Sequence, residues 1–111
     1  MRIYKIFRAT EWRAFDDAGE TEGAPVDVAD GYIHFSTHDQ VGETLAKHFK
    51  GETGLILAAA EADDMGDALK WEAAREGQDF PHLYRVLKRD EILWHKEIPR
   101  DGIDQLALGE E

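Results

Sequence analysis

The chain has 111 residues, enough for one domain with a single modest core. Its 42% hydrophobic and 33% charged residues are ordinary for a soluble domain, and a formal charge of −11 argues against nucleic-acid and anionic-membrane partners. The absence of cysteine excludes disulfides, thiol nucleophiles and Cys-based metal centres, and the longest apolar run, Leu55 to Ala60, is far too short for a membrane helix. With no signal-peptide core at Met1 to Lys5, the expected location is the cytoplasm.

Arg2 to Phe7 alternates with apolar residues on both faces, which predicts a strand inside a sheet. Thr10 is placed to cap a helix to about Ala18, with Trp12 and Phe15 facing the core and Gly19 as its stop. Glu20 to Asp30, rich in Gly, Glu, Ala and Asp, reads as a loop, either a flap over a site or simply a mobile connection. Asp30-Gly31 is a turn signal, and Tyr32 to Ser36 follows as a short strand.

Thr37 and Gln40 form a capping-box pattern ahead of a helix striped by Val41, Leu45, His48 and Phe49 and ending near Lys50-Gly51. Leu55 to Ala60 has the character of a central strand covered on both faces. The acids from Glu61 to Asp67 read as solvated surface, and Ala68 to Glu72 as a short strand or a turn. Pro81 forces Phe80 to be extended, and His82 to Leu87 and Glu91 to Ile98 are expected strands. In the second of these, Ile92 is expected on the same face as Trp94, with His95 toward solvent. Pro99 to Gly102 is a turn signal, and the last residues are expected to fray, so residues 1–98 form the predicted domain and 99–111 an extension. Five or six strands and two or three helices, in neither strict βαβ nor all-β order, predict an α+β fold with a mixed, bent or split sheet.

Three segments can carry chemistry. In an extended Asp30 to Thr37, the side chains of Tyr32, His34 and Ser36 share a face. Ser36 and Thr37 then stand where a helix begins, which suits a polar or anionic ligand oxygen, or simply a cap with a satisfied histidine. Lys70-Trp71-Glu72 joins a cation, a flat aromatic and a carboxylate; Glu72 there can hold a ribose hydroxyl or stabilise an oxocarbenium-like centre, or Trp71 is core and the charges are solvated. Phe80-Pro81-His82-Leu83-Tyr84 puts His82 and Tyr84 on one face, as cleft residues or a structural pair. His34, His82 and Glu72 have the composition of a catalytic zinc set but no metal-ligand spacing, so no metal is expected.

Ile3-Tyr4-Lys5-Ile6, Asp30-Gly31-Tyr32-Ile33-His34-Phe35-Ser36-Thr37, Gln40-Val41, Leu69-Lys70-Trp71-Glu72 and Phe80-Pro81-His82-Leu83-Tyr84 occur in the order seen in the domain-of-unknown-function family 952, which the chain resembles to about Ile98. Arg85 and Lys70 depart from the Gly and Arg common there. The resemblance implies an ADP-ribosyltransferase-like fold with an NAD-binding cleft. It places Lys5 on the strand where such enzymes carry an NAD-binding Arg or His, Ser36-Thr37 at their Ser-Thr element and Glu72 at their carboxylate. The familiar Arg-Ser-Glu and His-Tyr-Glu triads are not matched, since no Arg stands at the first position. The implied roles are Glu72 at the ribose 2′-hydroxyl, His34 and Ser36 at ribose or amide groups, Tyr84 or Trp71 stacked on nicotinamide, and His82 as base for an acceptor. The alternative expectation is a non-catalytic module that binds a small ligand or a partner in the same cleft.

Overall fold

A computed structural model of the protein describes residues 1–74 and 77–99; the predicted turn and frayed end from residue 100 onward lie outside them. Strand β1 (Arg2–Arg8) pairs antiparallel with β4 (Leu55–Glu61), which pairs antiparallel with β8 (Ile92–Glu97). β4 is the middle strand, as its continuous apolar run implies. Its side chains alternate between two cores. Ile56, Ala58 and Ala60 face one that contains Ile3, Phe7, Trp12, Phe15, Ile33 and Leu83. Leu55, Leu57 and Ala59 face the other, with Tyr4, Val41 and Ile98.

Helix α1 (Ala9–Ala18) packs Trp12 and Phe15 on Phe7, with ring centroids 5.3 and 5.4 Å away. Arg8, not Thr10, is the N-cap residue: its backbone N–H donates to Glu11 Oε1, and Thr10 lies within the helix. The Gly19 N–H closes the helix on the Phe15 carbonyl.

The segment expected to be a loop is instead ordered as β2 (Glu20–Thr21), paired with β7 (Leu87–Lys88), followed by helix α2 (Pro25–Asp30). Pro25 opens α2 with a fixed φ and no N–H to orphan. Asp27, one turn in, accepts the Ala24 N–H at 2.7 Å. Gly31 closes α2 at φ 87°, a left-handed conformation that a β-carbon would penalise.

β3 (Ile33–His34) is shorter than expected, and it pairs with β6 (Asp79–Leu83), which pairs with β5 (Leu69–Ala73). The segment read as strand or turn is therefore a strand. Its predecessor, Ala62–Ala68, is a 3-10 segment, and Arg89–Glu91 forms a second one before β8. Reciprocal Tyr4 and Ser36 backbone bonds, both 2.8 Å, stitch the chain after β3 onto β1. The described residues thus form the expected α+β fold, with three α-helices and with three small antiparallel sheets in place of a mixed, bent or split one.

Helix α3 (Val41–His48) starts later than Thr37, and Gln40 is its N-cap. Half of the expected capping box survives, since Thr37 N–H donates to Gln40 Oε1 at 3.0 Å. Ile92 and Trp94 do not share a face. A bulge between Ala59 and Ala60 pairs Ala59 with Trp94 and Ala60 with Ile92, and the extra residue sends Ile92 into the first core and Trp94 against the second. No helix among the described residues is long and apolar enough to cross a membrane.

Candidate functional site

The sheet β3-β6-β5 turns Ile33 and Leu83 into the core. Its register sets His34, His82 and Lys70 side by side on the opposite face. Glu72 lies one pleat along β5 from Lys70, and Tyr84 two residues past His82, so both join that face. His82 Nδ1–H donates to Glu72 Oε1 at 2.8 Å, and the Tyr84 hydroxyl donates to the same oxygen at 2.6 Å. Tyr32 lies over this pair, with its ring 4.1 Å from that of His82, 4.7 Å from His34 and 5.2 Å from Tyr84. The three predicted segments therefore converge.

A second carboxylate–imidazole pair stands beside the first, with the two imidazoles 5.4 Å apart. Asp27 Oδ1 accepts from His34 Nδ1 at 2.6 Å and from the His34 backbone N–H at 3.1 Å. Its Oδ2 accepts from Lys5 Nζ at 2.8 Å. With Nδ1–H committed to Asp27, His34 turns Nε2 toward Asp30 Oδ2, 3.1 Å away. That nitrogen donates to Asp30 when His34 is protonated and offers a lone pair when it is neutral.

The electrostatics follow from these contacts. Burial opposes ionisation of Asp27, but the hydrogen bond from His34 and the charge and hydrogen bond of Lys5 outweigh it and hold the carboxyl at about 2. The hydrogen bond from Tyr84, then that from His82, lowers Glu72 below the usual carboxylate range. In return Glu72 pushes the Tyr84 phenol up to about 12, so Tyr84 is a donor and not a phenolate at neutral pH. Burial, followed by the nearby Asp30 and Glu72 charges, raises Tyr32 as well.

Not every expected residue joins this face. Lys5 is only 6% exposed and is committed to Asp27, so it braces the site from within and reaches no ligand. Ser36 is buried, with its hydroxyl 2.9 Å from that of Thr44, because the chain turns inward after His34. The Thr37 carbonyl takes the Gln40 and Val41 N–H groups, and its own N–H goes to Gln40, so these three donors are already used within the chain. Trp71 points away from Glu72, as alternation along β5 requires. His82 is buried beneath Tyr32, with Nδ1 engaged by Glu72.

Asp27 and Asp30 lie in α2, a segment whose composition predicts a loop and so gives no sign of either residue as part of a site. The signal that points to Asp27 is its place two residues after Pro25, where an acid caps a first turn. No three His, Asp or Glu side chains among the described residues are grouped to hold a metal ion.

A family model described as a protein of unknown function (DUF952) matches residues 6–95. The crystal structure of protein CC0527 from Caulobacter crescentus is 46% identical in sequence, with a TM-score of 0.87, and the match covers 93% of this chain and 92% of that one. The solution NMR structure of the same bacterial protein gives a TM-score of 0.81 over 96% of this chain and 97% of that one. No curated protein matches. The chain belongs to the DUF952 family.

Proposed function

We propose that the face of Tyr32, His34, Glu72, His82 and Tyr84 binds a small nucleotide-class ligand, NAD in the first instance, and cleaves its nicotinamide–ribose bond as ADP-ribosyltransferases do. The observation that carries this reading is Glu72, held as an anion by Tyr84 and His82 yet 40% exposed. A fixed, reachable carboxylate can orient a ribose hydroxyl and stabilise positive charge growing at the anomeric carbon. Tyr32 and Tyr84 offer flat faces for the departing ring. His34, with its tautomer set by Asp27, keeps Nε2 against Asp30 Oδ2 and can take the proton of an attacking hydroxyl there once that contact opens. In this reading His82 positions Glu72, because its burial keeps it from an acceptor. Exposed Lys70, opposite His82, is the cation available to a phosphate.

Isotope-labelled protein titrated with millimolar NAD should show saturable shifts at Tyr32 to His34, Glu72 and His82 to Tyr84. Glu72→Gln should keep those shifts and abolish nicotinamide release. Absence of shifts overturns the reading. Shifts without release in the native chain point to the second reading, a non-catalytic binding module, which the burial of His82 under Tyr32 favours.

A further inference from the structure

β5 ends its sheet, and its outer N–H and C=O groups meet no described strand. Unpaired strand edges template pairing with another chain unless something prevents it. At the middle of this one stands Trp71, 42% exposed. The strand reads Leu69-Lys70-Trp71-Glu72-Ala73, and about Trp71 it is complementary to itself.

We propose that two copies of this chain associate edge to edge through β5, antiparallel and centred on Trp71. In that register Lys70 of each copy lies opposite Glu72 of the other, Trp71 meets Trp71 on the reverse face, and apolar Leu69 meets Ala73. Other registers are penalised. Centring on residue 70 opposes Lys70 to itself, centring on residue 72 opposes Glu72 to itself, and a parallel in-register pairing does both. The contact is isologous and closes on two copies, joining the two three-stranded sheets into one. Each copy carries −11, but at physiological ionic strength the long-range repulsion is screened beyond about 8 Å while the paired side chains touch. The arrangement also brings Lys70 of the second copy beside Glu72, so each copy supplies a cation to the other's candidate site.

The chain has no cysteine, so single cysteines report the register cleanly. Opposed residues of an antiparallel pair have Cα atoms about 4.5 to 5.5 Å apart, within disulfide range. Under mild oxidation Trp71→Cys should form a covalent dimer. Ala73→Cys alone should not, whereas an equimolar mixture of Ala73→Cys and Leu69→Cys should. Because Trp71→Cys removes the central contact, sedimentation equilibrium of the native chain is the second measurement. It should show a concentration-dependent dimer, weakened roughly tenfold or more by Lys70→Glu, which sets like charges opposite each other twice. A native chain that stays monomeric at millimolar concentration overturns the proposal. So does a dimer indifferent to Lys70→Glu, or equal cross-linking through residues 71 and 73.

Discussion

The two carboxylate–imidazole pairs use the same contact with opposite burial. Asp27 is 1% exposed and its partner His34 36%, whereas Glu72 is 40% exposed and its partner His82 3%. In the first pair the carboxylate is structural: it ties the backbone at Ala24 and His34 and the side chains of Lys5 and His34 into one knot. In the second the imidazole is structural and the carboxylate faces outward. One pair thus presents an imidazole and the other a carboxylate, each fixed by a member that is shielded from water. Residue type alone does not distinguish the roles; burial does.

The comparison breaks first at Asp27. Asp27→Ala leaves Lys5 as a buried charge without its counter-ion and frees α2, of which Asp27 is the buried residue. Losing one partner of a buried pair costs roughly 3 to 5 kcal/mol, so chemical denaturation should show a loss of that size. Gly23→Ala should act through the same knot. A β-carbon there would stand 2.5 Å from both Oδ2 and Cβ of Asp27, at a φ of 106° that already disfavours a side chain, so stability should fall, and by less in the Asp27→Ala background, where the Oδ2 clash is gone but the Cβ clash and the left-handed backbone remain.

Acid gives the next effect. The Asp27 carboxyl titrates at about 2 when folded, against 3.8 when unconstrained. Its ionised form therefore stabilises the fold above the unfolded value, and that contribution, roughly 2 kcal/mol, is lost as pH falls toward the folded value. Urea unfolding of the native chain and Asp27→Asn across this range should give curves that differ most at neutral pH and converge in acid. A constant difference would mean that Asp27 is not the ionised hub of the knot.

What the sequence discloses, and what it hides, divides along the same line. β1, α1 and β4 are legible because their apolar periodicity faces the cores that hold them. The convergence of His34, Glu72, His82 and Tyr84 is half legible: alternation puts each pair on one face, but only register brings β3, β5 and β6 together. α2 escapes because its apolar residues, Val26 and Val28, are exposed and its anchor is a carboxylate bound to a lysine 22 positions away. Ser36 and Thr37 look like site residues by spacing, yet the inward turn after His34 gives them to α3. The bulge that separates Ile92 from Trp94 has no local signature at all.

The smallest effect sharpens the outward pair. Ionising Tyr84 breaks its hydrogen bond to Glu72 and sets two anions side by side, which is why its phenol sits at about 12 rather than the ordinary 10.0. Glu72→Gln keeps an acceptor but removes the charge. A spectrophotometric phenol titration should then show one tyrosine moving down toward the ordinary value, while thermal stability changes far less than in Asp27→Ala. Tyr84→Phe should work in the reverse direction, letting Glu72 rise toward 4.5, with His82 as its remaining donor to Oε1 among the described residues. The two shifts test one contact from both ends. If Tyr84 ignores the loss of the Glu72 charge, the exposed carboxylate is not held by the phenol, and the anion on which the outward pair depends is free to swing away from the site.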